Sequence, residues 1–348
     1  MFPPQHNEDP DAPVRSTDND AALARLSAVQ KGYLQDPFVR HLVPRAHLQP
    51  PRPPLINIGT YVRTSGIDTL VDEWLHLGKQ SGKKCQIVSL GAGSDTRFWR
   101  IATGAYNEEL STYIEVDFPE IVTKKAMAIR KSKDMSQVLG EAKVAGGGTA
   151  LHSAKYHLLS GDLRSSPSAA FGPLFTNTEH DTDGQPLLSP SLPTLILFEC
   201  VLAYMSPEIS SRLLEWFVNY TKPSEGGILG CVIYEMFKLN DSFGRVMLAN
   251  LQTRNVALPG ALPFNTLESL SERLMKVGFT AARAVTLREI RKDYTKKSEL
   301  EWIAKLEFLD ETEELDLVLD HYAISWGLRL ESDAVPIWGH WGMKERPA

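Results

Sequence analysis

The chain has 348 residues, 43% hydrophobic and 23% charged, enough for a substantial core and ordinary for a globular protein. Its net charge is −6, from 37 basic and 43 acidic residues, a balance that gives nucleic acid or an anionic membrane no electrostatic footing. Cys85, Cys200 and Cys231 lack Cys-x-x-Cys spacing and lie in apolar runs. They read as buried thiols of a reducing compartment. No apolar run reaches the roughly 18 residues of a membrane span, and the first residues lack a signal-peptide core. A cytoplasmic location follows as the expectation, with the nucleus as a second.

Residues 1–20 are rich in proline and acid and are expected to be a disordered tail. Residues 21–348 read as one domain, opening with a helical segment over 21–80. Ala21 to Tyr33 suggests a short amphipathic helix, Pro50–Pro54 an extended connection, and Ile67 to Lys79 a helix with Leu70, Val71, Trp74 and Leu75 on one face. Because this segment precedes the first core strand, a lid over a ligand cleft is the expected place for it. Strands follow at Cys85–Leu90, Thr112–Asp117, Tyr156–Asp162, Thr194–Glu199 and Gly227–Tyr234, alternating with helices from Pro119 and Pro207. Two more strands, near 279–287 and 321–330, complete a doubly wound, mostly parallel, seven-stranded α/β sheet. Residues 132–153 and 164–192 read as flexible insertions, and 241–256, 265–276 and 298–318 as inserted helices.

The stretch Leu90-Gly-Ala-Gly-Ser-Asp-Thr-Arg-Phe-Trp99 joins a buried strand to a helix through a glycine turn, a Rossmann-like cradle. A dinucleotide oxidoreductase would want a third glycine where Thr96 stands, and Asp95 brings to the turn a negative charge that would repel a diphosphate. S-adenosylmethionine, which has no phosphate, is compatible. Ligands of such sheets bind beyond the carboxyl ends of the strands, where Gly91, Asp117, Asp162 and Glu199 fall. Asp117 could accept both ribose hydroxyls or cap the helix at Pro119. Asp162 could accept from an adenine amino group or serve its own turn. Glu199 follows four apolar residues and needs a cation, either a ligand ammonium or an internal Arg or Lys. The absence of His-Glu-x-x-His, of paired Cys/His ligands and of Gly-x-Ser-x-Gly disfavours a metal enzyme or serine hydrolase.

In order along the chain, Leu90–Trp99, Glu115-Val-Asp-Phe-Pro119, Gly161-Asp-Leu-Arg164 and Glu199-Cys-Val-Leu-Ala-Tyr-Met205 resemble the motifs of leucine carboxyl methyltransferases. Lys31-Gly-Tyr33, Asp36-Pro-Phe38, Gly59-Thr-Tyr-Val-Arg63, Leu306–Glu311 and His321-Tyr322 are similar to further segments of that family. The resemblance implies a Rossmann-like class I fold dependent on S-adenosylmethionine. It also implies methylation of the C-terminal leucine carboxylate of the type 2A protein phosphatase catalytic subunit, by a monomer with no nucleic-acid or membrane partner. By the same resemblance Arg63 would hold the methionine carboxylate of the cofactor, Gly91 its backbone approach, Asp117 the ribose, Asp162 and Leu163 the adenine, and Glu199 the ammonium. Arg25 stands where animal relatives carry a cofactor-touching lysine, with the charge kept and the geometry changed. Tyr204 could position the acceptor or be a core tyrosine. A small-molecule O-methyltransferase, or a carboxyl methyltransferase of a transfer-RNA base of the wybutosine type, stays open as an alternative on the same fold.

Overall fold

The computed structural model describes residues 9–172, 186–222, 225–310 and 312–347. Five strands run parallel at its centre: β1 (Cys85–Leu90), β2 (Leu110–Asp117), β5 (Tyr156–Ser160), β6 (Thr194–Glu199) and β7 (Leu229–Met236). With β3 (Ala142–Ala145), β4 (Ala150–Ser153), β8 (Ala281–Thr286) and β9 (Tyr322–Arg329) they form one nine-stranded sheet, ordered β3-β4-β5-β2-β1-β6-β7-β9-β8. The strand order reverses between β1 and β6, so the carboxyl ends of β5, β2, β1 and β6 flank a topological switch point.

Alternation along the buried strands splits the core in two. Ile87, Leu195 and Val232 face one layer with Ile67, Leu70 and Trp74 of helix α2 (Pro54–Ser81). Val88, Ile196, Phe198 and Ile233 face the other, with Leu213, Leu214 and Phe217 of a later helix, Pro207–Tyr220. Each such side chain contributes about 1.5–3 kcal/mol of burial. That later helix starts where Pro207 meets the Ser206 hydroxyl, which accepts from the Ile209 amide.

Helix α2 positions the site. Gly78, near its end, lies against Cys85 at the amino end of β1: a Cβ there would sit 2.4 Å from the Cys85 sulfur. The helix therefore runs opposite to the parallel strands. Fifteen residues earlier, at about 1.5 Å each, it has climbed roughly 22 Å, so Arg63 emerges at the carboxyl edge.

Several expectations are corrected. The tail predicted over 1–20 is helical from Ala12, because α1 (Ala12–Gln30) carries Pro13 in its first turn and is tied to the sheet edge by its own acidic residues; residues 1–8 lie outside the described residues. The insertion predicted over 132–153 is ordered. It holds helix Lys133–Leu139, capped by Ser132, and the β3–β4 hairpin, turning at Gly146, Gly147 and Gly148, all with positive φ. That hairpin raises the strand count from the predicted seven to nine. Within 164–192, residues 173–185 lie outside the described residues, while Leu187 and Leu188 are core residues. The helix predicted over 298–318 is two, Lys297–Ile303 and Thr312–Asp320.

Candidate active site

The glycine turn after β1 needs glycine at two positions. Gly91 has φ +67° and Gly93 φ +47°. A Cβ would meet Val201 Cγ2 at 2.4 Å at the first and Asp18 Oδ1 at 2.6 Å at the second. The Gly93 amide donates to Asp117 Oδ2 at 2.7 Å, and the Phe118 amide to Asp117 Oδ1 at 2.7 Å. Asp117 therefore locks the turn while keeping lone pairs free. Burial pushes its carboxyl up to about 6, against the pull of those two amides.

The β5 end lies beside β2, with the Gly161 amide donating to the Asp117 carbonyl at 2.9 Å. Asp162 takes the turn role: its Oδ1 accepts from the Arg164 amide at 2.9 Å, and the Arg164 guanidinium holds its carboxyl below the ordinary value. Arg164 also reaches Asp11, the residue before α1, at 2.6 Å, and Leu163 is buried.

Glu199, at the end of β6, is gripped twice. Arg63 pairs with its Oε2 at 2.7 Å and Arg97 with its Oε1 at 2.9 Å. The internal partner allowed for this carboxylate is thus present, in duplicate. Burial raises Glu199, but Arg97 first and Arg63 second more than offset it, so it stays ionised. Arg63 also stacks on Tyr234, 4.4 Å from the ring centre.

Arg25 extends this cluster. Its Nε donates to Asp36 at 2.6 Å, and Asp36 also accepts from the Thr96 hydroxyl. Thr96 therefore serves Asp36 and gives no side-chain cap to the helix that follows. Tyr204 lies on the same edge, its hydroxyl turned to Thr17 of α1 and pushed up to about 12 by burial. Six of the eight expected site residues, Arg25, Arg63, Gly91, Asp117, Glu199 and Tyr204, thus belong to one edge of the sheet, and Asp162 with Leu163 adjoin them at β5.

Reading the sequence took Asp95 as an unpaired charge and missed Arg97, Asp68 and Asp18. Asp95 carries no free charge at the turn, because Arg97 pairs with it at 2.6 Å; this weakens the repulsion argued against a diphosphate. Asp68 of α2 takes Arg97 at 3.0 Å and also holds Arg100. Asp18 of α1 accepts from the Ser94 amide at 2.6 Å. An Asp-x-Arg at the mouth of a glycine turn was the signal available for the first.

The profile of the family described as Leucine carboxyl methyltransferase matches residues 14–218, which include all eight expected site residues. The chain belongs to the leucine carboxyl methyltransferase family. It is 45% identical to Leucine carboxyl methyltransferase 1 of Cryptococcus neoformans, with 94% of this chain and 96% of that protein covered. It is 34% identical to the Bos taurus protein of the same name, with 92% and 90% covered, and 34% identical to that of Schizosaccharomyces pombe, with 90% and 93% covered.

The fold is accordingly the Rossmann-like class I methyltransferase fold, the activity is methyl transfer to a leucine carboxyl group, and the cofactor is S-adenosylmethionine. The donor set fits that molecule. Arg63 and Glu199 offer one cation and one anion to a zwitterionic amino-acid end, and Asp117 offers a carboxylate to a diol. Gly91 and Gly93 add no side chain of their own to the turn. Among the described residues no group of His, Cys, Asp and Glu is arranged to hold a metal ion.

Proposed function

We propose that this enzyme methyl-esterifies the α-carboxylate of the C-terminal leucine of the type 2A protein phosphatase catalytic subunit, by in-line transfer to a carboxylate that is already ionised. The reading is supported by one observation: an Arg63–Glu199 ion pair stands at the carboxyl edge of β6, beside the glycine turn. Arg63 would hold the cofactor carboxylate and Glu199, through Oε2, its ammonium. Asp117 would accept from the ribose hydroxyls, while Asp162 and Leu163 would bound the adenine. Arg25 braces Asp36 and Thr96 beneath the turn. When bound, the cofactor supplies a methyl group on a sulfonium and leaves as a neutral thioether.

An α-carboxyl has an unperturbed pKa of about 3.5 and is ionised at neutral pH, so no side chain need act as general base. What the chain must supply is alignment and exclusion of water, and positioning of this kind can contribute on the order of 7 kcal/mol. Tyr204, just beyond the β6 end with its hydroxyl toward Thr17, would orient the acceptor. Helix α1 closes over the turn as a lid. The test is label transfer from methyl-labelled S-adenosylmethionine to the phosphatase catalytic subunit, as a monomeric enzyme in a cytoplasmic buffer. Base-labile label is expected on the full-length subunit and not on one lacking its terminal leucine. Equal labelling of the two would refute the assignment.

A further inference from the structure

Glu199 and Asp95 are two carboxylates with one guanidinium between them. Arg97 Nη1 lies 2.9 Å from Glu199 Oε1 and 2.6 Å from Asp95 Oδ2, and its Nε lies 3.0 Å from Asp68 Oδ1. Its side chain is only 2% exposed. Arg63, by contrast, has a side chain 25% exposed and binds no other carboxylate among the described pairs. The two cations on Glu199 are therefore unequal: one is clamped by three carboxylates, the other pairs with Glu199 alone and stacks on Tyr234.

We infer that Arg97 is the positioning residue of the cofactor site: it holds Glu199 by Oε1, so that Oε2 is presented to the cofactor ammonium when Arg63 departs to the carboxylate. The inference rests on the proposed role of Glu199 and deepens it. The physical need is plain. Without Arg97, Arg63 would be the only cation on Glu199, and cofactor binding would have to remove it from a carboxylate with no second partner. Uncompensated burial of that charge is costly. The groups facing Glu199 are Arg63 from α2, Arg97 and Asp95 from the turn after β1, Tyr234 from β7 and its own neighbour Cys200. Asp95 disfavours its ionisation, and Arg97 and Arg63 favour it. Removing Arg97 leaves two facing carboxylates sharing less positive charge, so one of them takes up a proton as the pH falls toward neutrality.

The experiment is titration calorimetry of the full chain with S-adenosylhomocysteine, which keeps the ammonium and carboxylate, between pH 6 and 8.5. Arg97→Gln is expected to bind at least about tenfold more weakly at pH 7 and to lose up to about tenfold more per pH unit below it, the slope of one linked proton. Arg97→Lys should restore the charge and remove that added slope. A merely structural role would lower the melting temperature and leave the pH profile parallel to wild type. If Arg97→Gln fails to fold, Arg97→Gln/Asp95→Asn keeps the charge balance and should still bind several-fold more weakly, since Glu199 remains unheld. Wild-type affinity and profile in whichever variant folds would overturn the inference. Glu199→Gln separates it from the reading beneath. Unchanged binding in Glu199→Gln sinks both, whereas weakened binding there with a wild-type Arg97→Gln sinks only the role of Arg97.

Discussion

At the scale of single residues the site is a set of charges arranged to be exchanged. Four guanidiniums, of Arg25, Arg63, Arg97 and Arg100, meet four carboxylates, of Asp36, Glu199, Asp95 and Asp68, within one buried edge. Asp117 stands apart, buried without a cation and held by two amides. Its carboxyl is raised from 3.8 to about 6. The sign follows directly. An acceptor for ribose hydroxyls must be ionised, so that contribution to affinity is present above pH 6 and lost as pH falls through it. Cofactor affinity should drop by up to about tenfold per pH unit below about 6, and Asp117→Asn should flatten that limb while binding more weakly at pH 8; calorimetry from pH 5 to 8 reads both. The same shift means that Asp117 gives up native stability as pH rises between its unfolded and folded values.

Elements carry these residues to one place. Helix α2, running against the strands, delivers Arg63; β2 and β6 end in Asp117 and Glu199 themselves. Helix α1 lies across the edge and is tied to three separate segments: Asp11 to Arg164 after β5, Asp18 to Lys124 in the helix Pro119–Lys131, and Asp20 to Arg254 beyond the helix Ser242–Gln252. Each exposed pair contributes up to about 1 kcal/mol and is screened by salt. With α1 as the lid, cofactor dissociation should accelerate several-fold between ~0.05 and ~0.5 M salt. Asp11→Asn/Asp20→Asn should dissociate fast at both, as measured by stopped-flow displacement. A wild-type rate indifferent to salt would show that these pairs do not hold α1 down. The acidic first 20 residues looked like solvated tail because their partners lie up to 234 positions away.

At the scale of the whole molecule, the last described turn closes the core. Trp338 and Trp341 pack edge-on against Trp74 of α2, 4.6 and 5.0 Å between ring centres, and Trp341 Nε1 donates to the Leu70 carbonyl at 2.9 Å. This segment after β9 has no periodicity to announce it, yet Trp338 is among the largest fully buried side chains. Trp341→Ala should destabilise the fold by roughly 3–5 kcal/mol, read as a lowered urea midpoint. A shift near zero would mean that the segment only covers the core. Because Trp74 lies about three turns from Arg63 on the same helix, a loosened C-terminus should also weaken cofactor binding.

The parallel sheet, its strand ends and the family were legible in the residues because they depend on local pattern: short apolar runs, a glycine turn, and acids that end buried strands. Gly91, Asp117 and Glu199 could be found that way. What the sequence left undecided was pairing across distance. Arg97 binding Glu199, Asp18 covering the turn, the β3–β4 hairpin extending the sheet and the tryptophans returning to Trp74 join segments that share no local signal. Only the folded chain decides these, because an ion pair or an aromatic contact is specified by which surfaces packing brings together and not by either residue alone.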